Sequence, residues 1–276
     1  MSNENRSRAL KSHLYPMQLY HDLRRLCLSL LKGSPFESLA RALSEKVFSP
    51  QNAQRDKETK QILKLISLNH FNCIDVGAYR GEILKHFLKF CPQGKSFAFE
   101  PIPENFIFLS KKYTFASIFN VALSDRKGKQ CFYFSSGRPA RSGLKRNTYP
   151  DPKERVEQLT VDVDMLDNII DRDLRIDIIK IDVEGSELQV LSGAKHTIMR
   201  WRPSLIFEHG PFKPNNNLTE STLLYKMITS DFRLNIWRLS QYLSSPIPLS
   251  LDNFLVSVSE DNVSYYLASK SSYNKS

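Results

Sequence analysis

Lys180, Asp182 and Glu184 alternate along one run of the sequence, IIKIDVEG, which begins at Ile178. Alternate side chains of an extended chain point to the same side, so these three charged groups would meet at the carboxyl end of a strand. Asp182 or Glu184 could then act as a general base, while Lys180 could orient an acid or hold an oxygen of a substrate. The alternative is a structural ion pair of Lys180 with Asp182 or Glu187 at the strand end.

A second apolar run, SLIF, ends in Glu208 and His209 and would bring both residues to the same cleft. A histidine titrates near neutral pH, so His209 is a further candidate proton acceptor. The alternative is a hydrogen-bonded structural histidine. Asp182 and Glu184 also carry the hard oxygen ligands that a divalent cation prefers, so a metal bound by these two residues is one hypothesis.

A glycine loop lies within the run CIDVGAYRG, which begins at Cys73. Gly77 and Gly81 allow a ligand to approach the backbone closely, and the helix expected after them offers free N–H groups. The spacing G-x-x-x-G after Asp75 differs from the G-x-G-x-x-G pattern that cradles a pyrophosphate, which argues against a dehydrogenase. Asp75 would repel a diphosphate but would suit a cofactor with an ammonium group and no phosphate. We therefore predict S-adenosylmethionine as the cofactor, with Tyr79 among its contacts.

Glu100 ends the next apolar run, SFAF, where a carboxylate can accept hydrogen bonds from both ribose hydroxyls of such a cofactor. Pro101 follows it directly. Asn120 and Ala122 lie at the end of a third run, where a backbone N–H and a small side chain could meet the adenine edge. These residues complete the predicted cofactor site together with the glycine loop.

The elements that would position these residues alternate along the chain, as in a mostly parallel sheet covered by helices on both faces. We predict strands at Cys73 to Val76, Ser96 to Glu100, Ser117 to Ala122, Asp177 to Asp182 and Ser204 to Glu208. We predict helices at Glu82 to Phe90, Glu104 to Tyr113, Ser186 to Arg200 and Thr219 to Thr229. An insertion adds strands at Gln130 to Ser135 and Gln158 to Val163. An antiparallel pair at one sheet edge is predicted at Phe232 to Leu239 and Phe254 to Val258.

Four segments between residues 70 and 210 resemble the FkbM family of S-adenosylmethionine-dependent methyltransferases: IDVGAYRG, FAFEPIPENF, NVALSDRKG and IDIIKIDVEGSELQVLSGA. The resemblance implies an α/β, Rossmann-like class I methyltransferase fold with a mostly parallel seven-stranded sheet. It also implies methyl transfer to a hydroxyl oxygen of a small molecule, such as a sugar or a glycan precursor. The family usually has asparagine at the position of Tyr79.

The chain has 276 residues and a formal net charge of +10, which favours an anionic partner or maintains solubility. We divide it into a helical N-terminal extension at 1–60, a methyltransferase domain at 61–262 and a polar tail at 263–276. Arg138 and Arg141 lie in a basic loop, Ser136 to Arg146, that could close over an anionic acceptor. A solvated surface loop is the alternative.

Three classes of function remain open, and the resemblance favours the first, an O-methyltransferase that acts on a small molecule. The second is a nucleic-acid methyltransferase, although the sequence lacks the Asn/Asp-Pro-Pro-aromatic loop expected for methylation of base amino groups. The third is a non-catalytic binding protein that keeps the fold. No run of about 18 apolar residues predicts a transmembrane segment, so we expect a cytoplasmic location. An oligomer is compatible with the sequence.

Overall fold

The computed structural model describes residues 50–135, 141–146, 155–210, 218–244, 247–259 and 264–272. The predicted extension at 1–60 falls largely outside these ranges. In chain order the helices are α1 (Pro50–Ile66), α2 (Leu84–Phe90), α3 (Pro103–Lys112), α4 (Leu166–Ile169), α5 (Glu187–Gly193), α6 (Lys195–Trp201), α7 (Leu218–Lys226), α8 (Leu239–Tyr242) and α9 (Leu251–Ser259). None of the described helices combines the length and the apolar composition needed to span a bilayer.

The strands are β1 (Cys73–Val76), β2 (Ser96–Phe99), β3 (Ser117–Phe119), β4 (Ala122–Leu123), β5 (Gly128–Ser135), β6 (Val156–Asp164), β7 (Ile178–Ile181), β8 (Ser204–His209), β9 (Asn235–Arg238) and β10 (Ser264–Ser269). Seven of them form one sheet in the order β3-β2-β1-β7-β8-β10-β9. Along this order, the pairings that join β3, β2, β1, β7 and β8 are parallel, while both pairings of β10 are antiparallel. The predicted Rossmann-like α/β class is confirmed. Parallel pairing in the main sheet is limited to β3, β2, β1, β7 and β8.

The central strands are buried on both faces because helices cover the sheet on both sides. β1, β7 and β8 are buried at every position. Ile179 and Phe207 pack in a core layer with α5, α7 and α9, whereas Ile178 and Ile206 pack in the opposite layer with α1, α2 and α8. Since successive residues of a strand belong to opposite layers, Lys180 faces the same layer as Ile178.

Between β3 and β7 the chain forms a second, three-stranded sheet in the order β4-β6-β5. β5 and β6 pair antiparallel from Gly128 opposite Val163 to Ser135 opposite Val156. The two predicted insertion strands are thus confirmed, and both are longer than predicted. Val163 packs with Ile102, which ties the second sheet to the segment after β2.

The C-terminal part of the sheet differs from the prediction. Phe254 to Val258, predicted as a strand, lies in α9, because Phe254 and Val258 are one helical turn apart and are both buried. The antiparallel strand is instead β10, in the segment that the sequence assigned to a polar tail at 263–276. Tyr266 and Leu267 are fully buried there, so residues 264–269 belong to the main domain.

The predicted helix Ser186 to Arg200 is two helices, α5 and α6, that meet at Ala194. α5 ends where its backbone touches the chain after β4. A Cβ built on Gly193 would lie 1.9 Å from the carbonyl oxygen of Ser124. This close approach requires glycine at the end of α5.

Candidate active site

The glycine loop after β1 is packed against the end of β7. Gly77 has a φ of +76°, and a Cβ built on it would lie 1.9 Å from the carbonyl oxygen of Asp182. Gly81 has a φ of +80° and lies against the ring of Tyr113, whose hydroxyl donates to the Gly81 carbonyl at 3.1 Å. Because a side chain at either glycine would collide with these neighbours, the loop can take this path only with glycine at both positions.

Tyr79 occupies a left-handed backbone position, with a φ of 48°, which is unusual for a bulky residue. Asparagine tolerates this conformation better, which agrees with the asparagine that the family usually has here. The backbone N–H of Tyr79 donates to Oε2 of Glu100 at 2.8 Å. The contact of Tyr79 with Glu100 therefore runs through the main chain and does not depend on the tyrosine ring.

Glu100 is buried at the end of β2 and accepts three hydrogen bonds. The N–H of Ile102 and the amide of Asn105 donate to Oε1 at 3.0 and 3.3 Å, and the N–H of Tyr79 donates to Oε2. Burial raises the pKa of Glu100 to about 7, although the three hydrogen bonds oppose the shift. Glu100 is thus a carboxylate with little water around it, and further hydroxyl donors would stabilise its charge.

One pocket of about 560 Å³, part of it open to solvent, brings most of the predicted residues together. The predicted residues in its wall are Gly77, Tyr79, Glu100, Pro101, Ala122, Asp182 and Glu184. Of the other predicted cofactor residues, Asp75, Gly81 and Asn120 do not line it. Asn120 instead donates to the carbonyl oxygens of Glu100 and Pro101, at 2.9 and 3.0 Å, and thereby holds the turn after β2.

Lys180 is buried between two aspartates. Asp75 is its partner in the pairing of β1 with β7, and Nζ of Lys180 lies 3.6 Å from Oδ1 of Asp75 and 3.2 Å from Oδ2 of Asp182. Burial alone would lower the pKa of Lys180, but Asp182 and Asp75 outweigh it and hold the pKa above the usual lysine value. Lys180 therefore keeps its charge, and its ion pair with Asp182 is present as the structural alternative predicted.

Asp182, Glu184 and Glu208, which we call the acidic trio, bring carboxylate oxygens within 4.8 Å of one another. Burial raises the pKa of Asp182, but Lys180 and hydrogen bonds from Glu208 and Tyr265 bring it below its usual value. Burial and the charge of Asp182 raise the pKa of Glu184 to about 8. The same two causes hold the pKa of Glu208 well above its usual value, and its hydrogen bond with Asp182 acts in the same direction.

His209 is buried beside the acidic trio rather than in the wall of the pocket. Its Nε2 lies 2.9 Å from Oγ of Ser221, and its Nδ1 lies 3.4 Å from Oε2 of Glu187. The ring stacks on Phe254 with a centroid separation of 5.9 Å. Since both ring nitrogens have protein partners, the contacts favour the structural alternative for His209.

The described part of the basic loop, residues 141–146, lies on the acidic end of β7. Gly143 and Tyr133 exchange backbone hydrogen bonds of 2.8 and 3.1 Å, and a Cβ on Gly143 would lie 3.2 Å from Cβ of Glu184. Burial raises the pKa of Glu184, and the charge of the exposed Arg141 opposes that shift. Arg138 lies outside the described residues. Of the two arginines predicted to bind the acceptor, Arg141 lies within the described residues, and its charge acts on Glu184.

Glu208 was predicted to reach the cleft with His209 but was given no role, and Tyr265 and Ser186 were not predicted as site residues. Tyr265 was missed because its strand was assigned to the polar tail; its hydroxyl donates to Oδ2 of Asp182 at 2.8 Å. Ser186 lines the pocket and is buried, and its hydroxyl has no hydrogen-bond partner within the described part of the chain. Its place directly after the IDVEG motif was the available signal.

The acidic trio has the ligand type that a hard divalent cation prefers. However, the Lys180 ammonium already lies 3.2 Å from Asp182, and Glu208 is hydrogen-bonded to the same carboxylate. A cation would have to displace these contacts. A metal bound by Asp182 and Glu184 stays a prediction.

Comparison with known proteins identifies the family of the chain. The model of the methyltransferase FkbM domain matches residues 75–235, which is more than half of the chain. The chain is 28% identical over 165 residues to the 2-O-methyltransferase NoeI of Sinorhizobium fredii, and the alignment covers 53% of this chain and 66% of that protein. The chain thus spans just under two thirds of this relative.

Solved structures give weaker matches. A methyltransferase FkbM from Methylobacillus flagellatus has a TM-score of 0.38 and 16% identity, covering 72% of this chain and 44% of its own. An S-adenosylmethionine-dependent methyltransferase from Aquifex aeolicus has a TM-score of 0.39 and 12% identity, covering 82% and 95%. The family assignment rests on the sequence match, which confirms the resemblance: this chain belongs to the FkbM methyltransferase family, whose domain is that of S-adenosylmethionine-dependent methyltransferases.

Proposed function

We propose that this chain transfers the methyl group of S-adenosylmethionine to a hydroxyl oxygen of a small molecule, most suitably a sugar or a glycan precursor. One observation carries the proposal: Glu100, Asp182 and Glu184 line the same pocket. A residue suited to the cofactor and residues suited to a reacting hydroxyl therefore share one cavity, as an in-line displacement requires. The name of the relative, a 2-O-methyltransferase, supports a hydroxyl as the acceptor.

The cofactor, when bound, supplies a methyl group activated by a positive sulfonium. Glu100 would accept the ribose hydroxyls, which fits a buried carboxylate whose charge is poorly solvated. Gly77 and the backbone of Tyr79 would leave room for the amino-acid end, and Ala122 would contact the adenine. Asp75, Gly81 and Asn120 would support the site from outside the pocket wall.

Glu184 is the proposed general base. A carboxylate accepts a hydroxyl proton more readily when its own pKa is high, and burial together with Asp182 raises the pKa of Glu184 to about 8. Asp182, whose pKa is held low, would act as a fixed negative charge, and Lys180 would orient it. His209 suits the role of base less well because both of its nitrogens have partners.

The acceptor would meet the pocket beside the basic loop. Arg141, with Arg138, would then contact an anionic group of the acceptor, in keeping with the net charge of +10. A nucleic-acid acceptor remains disfavoured on the sequence grounds given above. The oligomeric state and the cytoplasmic location also stay predictions.

The test is formation of S-adenosylhomocysteine from S-adenosylmethionine with a panel of free and nucleotide-linked sugars. With a sugar that reacts, Glu184→Gln should lower kcat by about 100-fold or more, since it removes the proton acceptor, and should leave the Kd of the cofactor unchanged. Glu157→Gln, at an exposed position of β6, is the matched control. Turnover retained by Glu184→Gln would reject Glu184 as the base. Cofactor binding without turnover of any sugar would reject that acceptor class.

A further inference from the structure

Asp182, Glu208 and Tyr265 lie side by side across three adjacent strands. The pairing of Ile181 with Phe207 places Asp182 next to Glu208, and Glu208 is itself the partner of Tyr265 in the pairing of β8 with β10. Directly opposed residues of neighbouring strands point to the same face of a sheet. A tyrosine from the last strand of the chain, beyond the family match at 75–235, therefore reaches the end of β7.

Two donors act on one oxygen of Asp182. The hydroxyl of Tyr265 donates to Oδ2 at 2.8 Å, and Nζ of Lys180 lies 3.2 Å from the same atom. Two donors on one oxygen restrict the rotation of the carboxylate, and hydrogen bonds to the ionised form keep it charged. Asp182 also lines the pocket together with Glu100. The site therefore presents a fixed negative charge to whatever the pocket holds.

We propose that Tyr265 is a positioning residue that fixes the ionised carboxylate of Asp182, and that this carboxylate distinguishes the positive sulfonium of S-adenosylmethionine from the neutral sulfur of S-adenosylhomocysteine. This inference rests on the proposed function. The two molecules differ only by the methyl group and its charge, so a fixed anion near the sulfur favours the substrate and eases release of the product. Lys180 takes part by holding the same carboxylate oxygen.

The test is a comparison of two binding constants in variants of the whole chain, and it needs no acceptor. Calorimetry gives the Kd of S-adenosylmethionine and of S-adenosylhomocysteine, and the ratio of the two constants reports the charge near the sulfur. Tyr265→Phe removes one oxygen atom and should weaken S-adenosylmethionine relative to S-adenosylhomocysteine by roughly threefold or more. Asp182→Asn, which removes the charge itself, should change the ratio at least as much.

Tyr266→Phe is the matched control. Tyr266 neighbours Tyr265 on β10 but points to the opposite face, where its hydroxyl lies 2.8 Å from Oγ of Ser257. Its loss should lower the thermal unfolding midpoint and leave the ratio of binding constants unchanged. A merely structural role of Tyr265 would give the same result as this control.

Each outcome decides the inference. A ratio unchanged in Tyr265→Phe, or changed equally in Tyr266→Phe, overturns it. A ratio retained in Asp182→Asn overturns it as well, even if Tyr265→Phe does not fold. Failure of the unchanged chain to bind either molecule removes the proposed function and this inference together. Binding of both molecules with equal ratios in all variants removes the inference alone.

Discussion

Glu100→Gln is expected to make the stability of the folded protein less dependent on pH. Burial raises the pKa of Glu100 to about 7 in the folded state, from an ordinary value of 4.5. As the pH rises between these values, the unfolded chain releases the proton of Glu100 while the folded chain still holds it. Deprotonation therefore favours the unfolded state, and the free energy of unfolding falls from about pH 4.5 until it levels above about pH 7.

The size of this effect follows from the two pKa values. Their difference of about 2.5 corresponds to about 3 kcal/mol. Most of that loss, about 2 to 3 kcal/mol, develops between about pH 5 and about pH 8. Glutamine matches the shape of glutamate but does not titrate in this range, so the variant should lack this part of the loss. The raised pKa values of Glu184 and Glu208 act in both proteins and cancel in the comparison.

Urea unfolding followed by circular dichroism at the two pH values measures the free energy of unfolding in each protein. The exposed Glu157→Gln serves as the control and should behave as the unchanged chain does. If the unchanged chain and Glu100→Gln lose equal stability between the two pH values, the argument from burial is refuted. The variant should also bind S-adenosylmethionine more weakly, because a neutral amide accepts the ribose hydroxyls less strongly than a carboxylate.

Further predictions concern the loop, the base and the metal hypothesis. Gly77→Ala should abolish cofactor binding and lower the thermal unfolding midpoint more than Gly128→Ala, because both glycines have positive φ but only a Cβ at Gly77 meets a backbone oxygen, at 1.9 Å; equal midpoints would contradict this. Arg141→Gln should move the midpoint of the kcat profile, expected near pH 8, to higher pH, since burial raises the pKa of the proposed base and Arg141 opposes it. Arg146→Gln should leave the profile in place, and an unmoved profile in both variants would count against the role of Arg141. Turnover should survive a chelator, because Lys180 already lies against a carboxylate oxygen of Asp182; a loss restored by magnesium would support the metal hypothesis.

The central strands could be predicted from sequence because each is buried on both faces. β1, β7 and β8 are apolar runs that end in polar residues, and those residues include Asp182 and His209. The runs therefore fixed both the strands and the edge at which the charged groups meet. The runs could not predict the direction in which each side chain points. His209 contacts Ser221 and Glu187, and these contacts depend on packing with α5 and α7.

The C-terminal part was predicted wrongly at two segments, for different reasons. Phe254 to Val258 is rich in residues that favour strands, yet it forms a helix whose buried side packs on the core. The segment Ser264–Ser269, SYYLAS, carries two tyrosines that favour a strand, but the polar residues after it led to its assignment to a tail. It lies between two strands and is almost wholly buried. The contact of Tyr265 with Asp182 was missed because of that assignment.

The position of β10 between β8 and β9 also sets the order in which the molecule can be completed. β9 precedes β10 in the chain, but it has no partner in the sheet until β10 has paired with β8. During synthesis, the edge of β8 thus stays open until the chain through Ser269 has left the ribosome, and such an edge is a template for wrong pairing. The hydrogen bond from the hydroxyl of Tyr265 to Asp182, the partner of Lys180, also cannot form before β10 has joined the sheet. The edge of β8 is therefore protected from wrong pairing only once β10 is available.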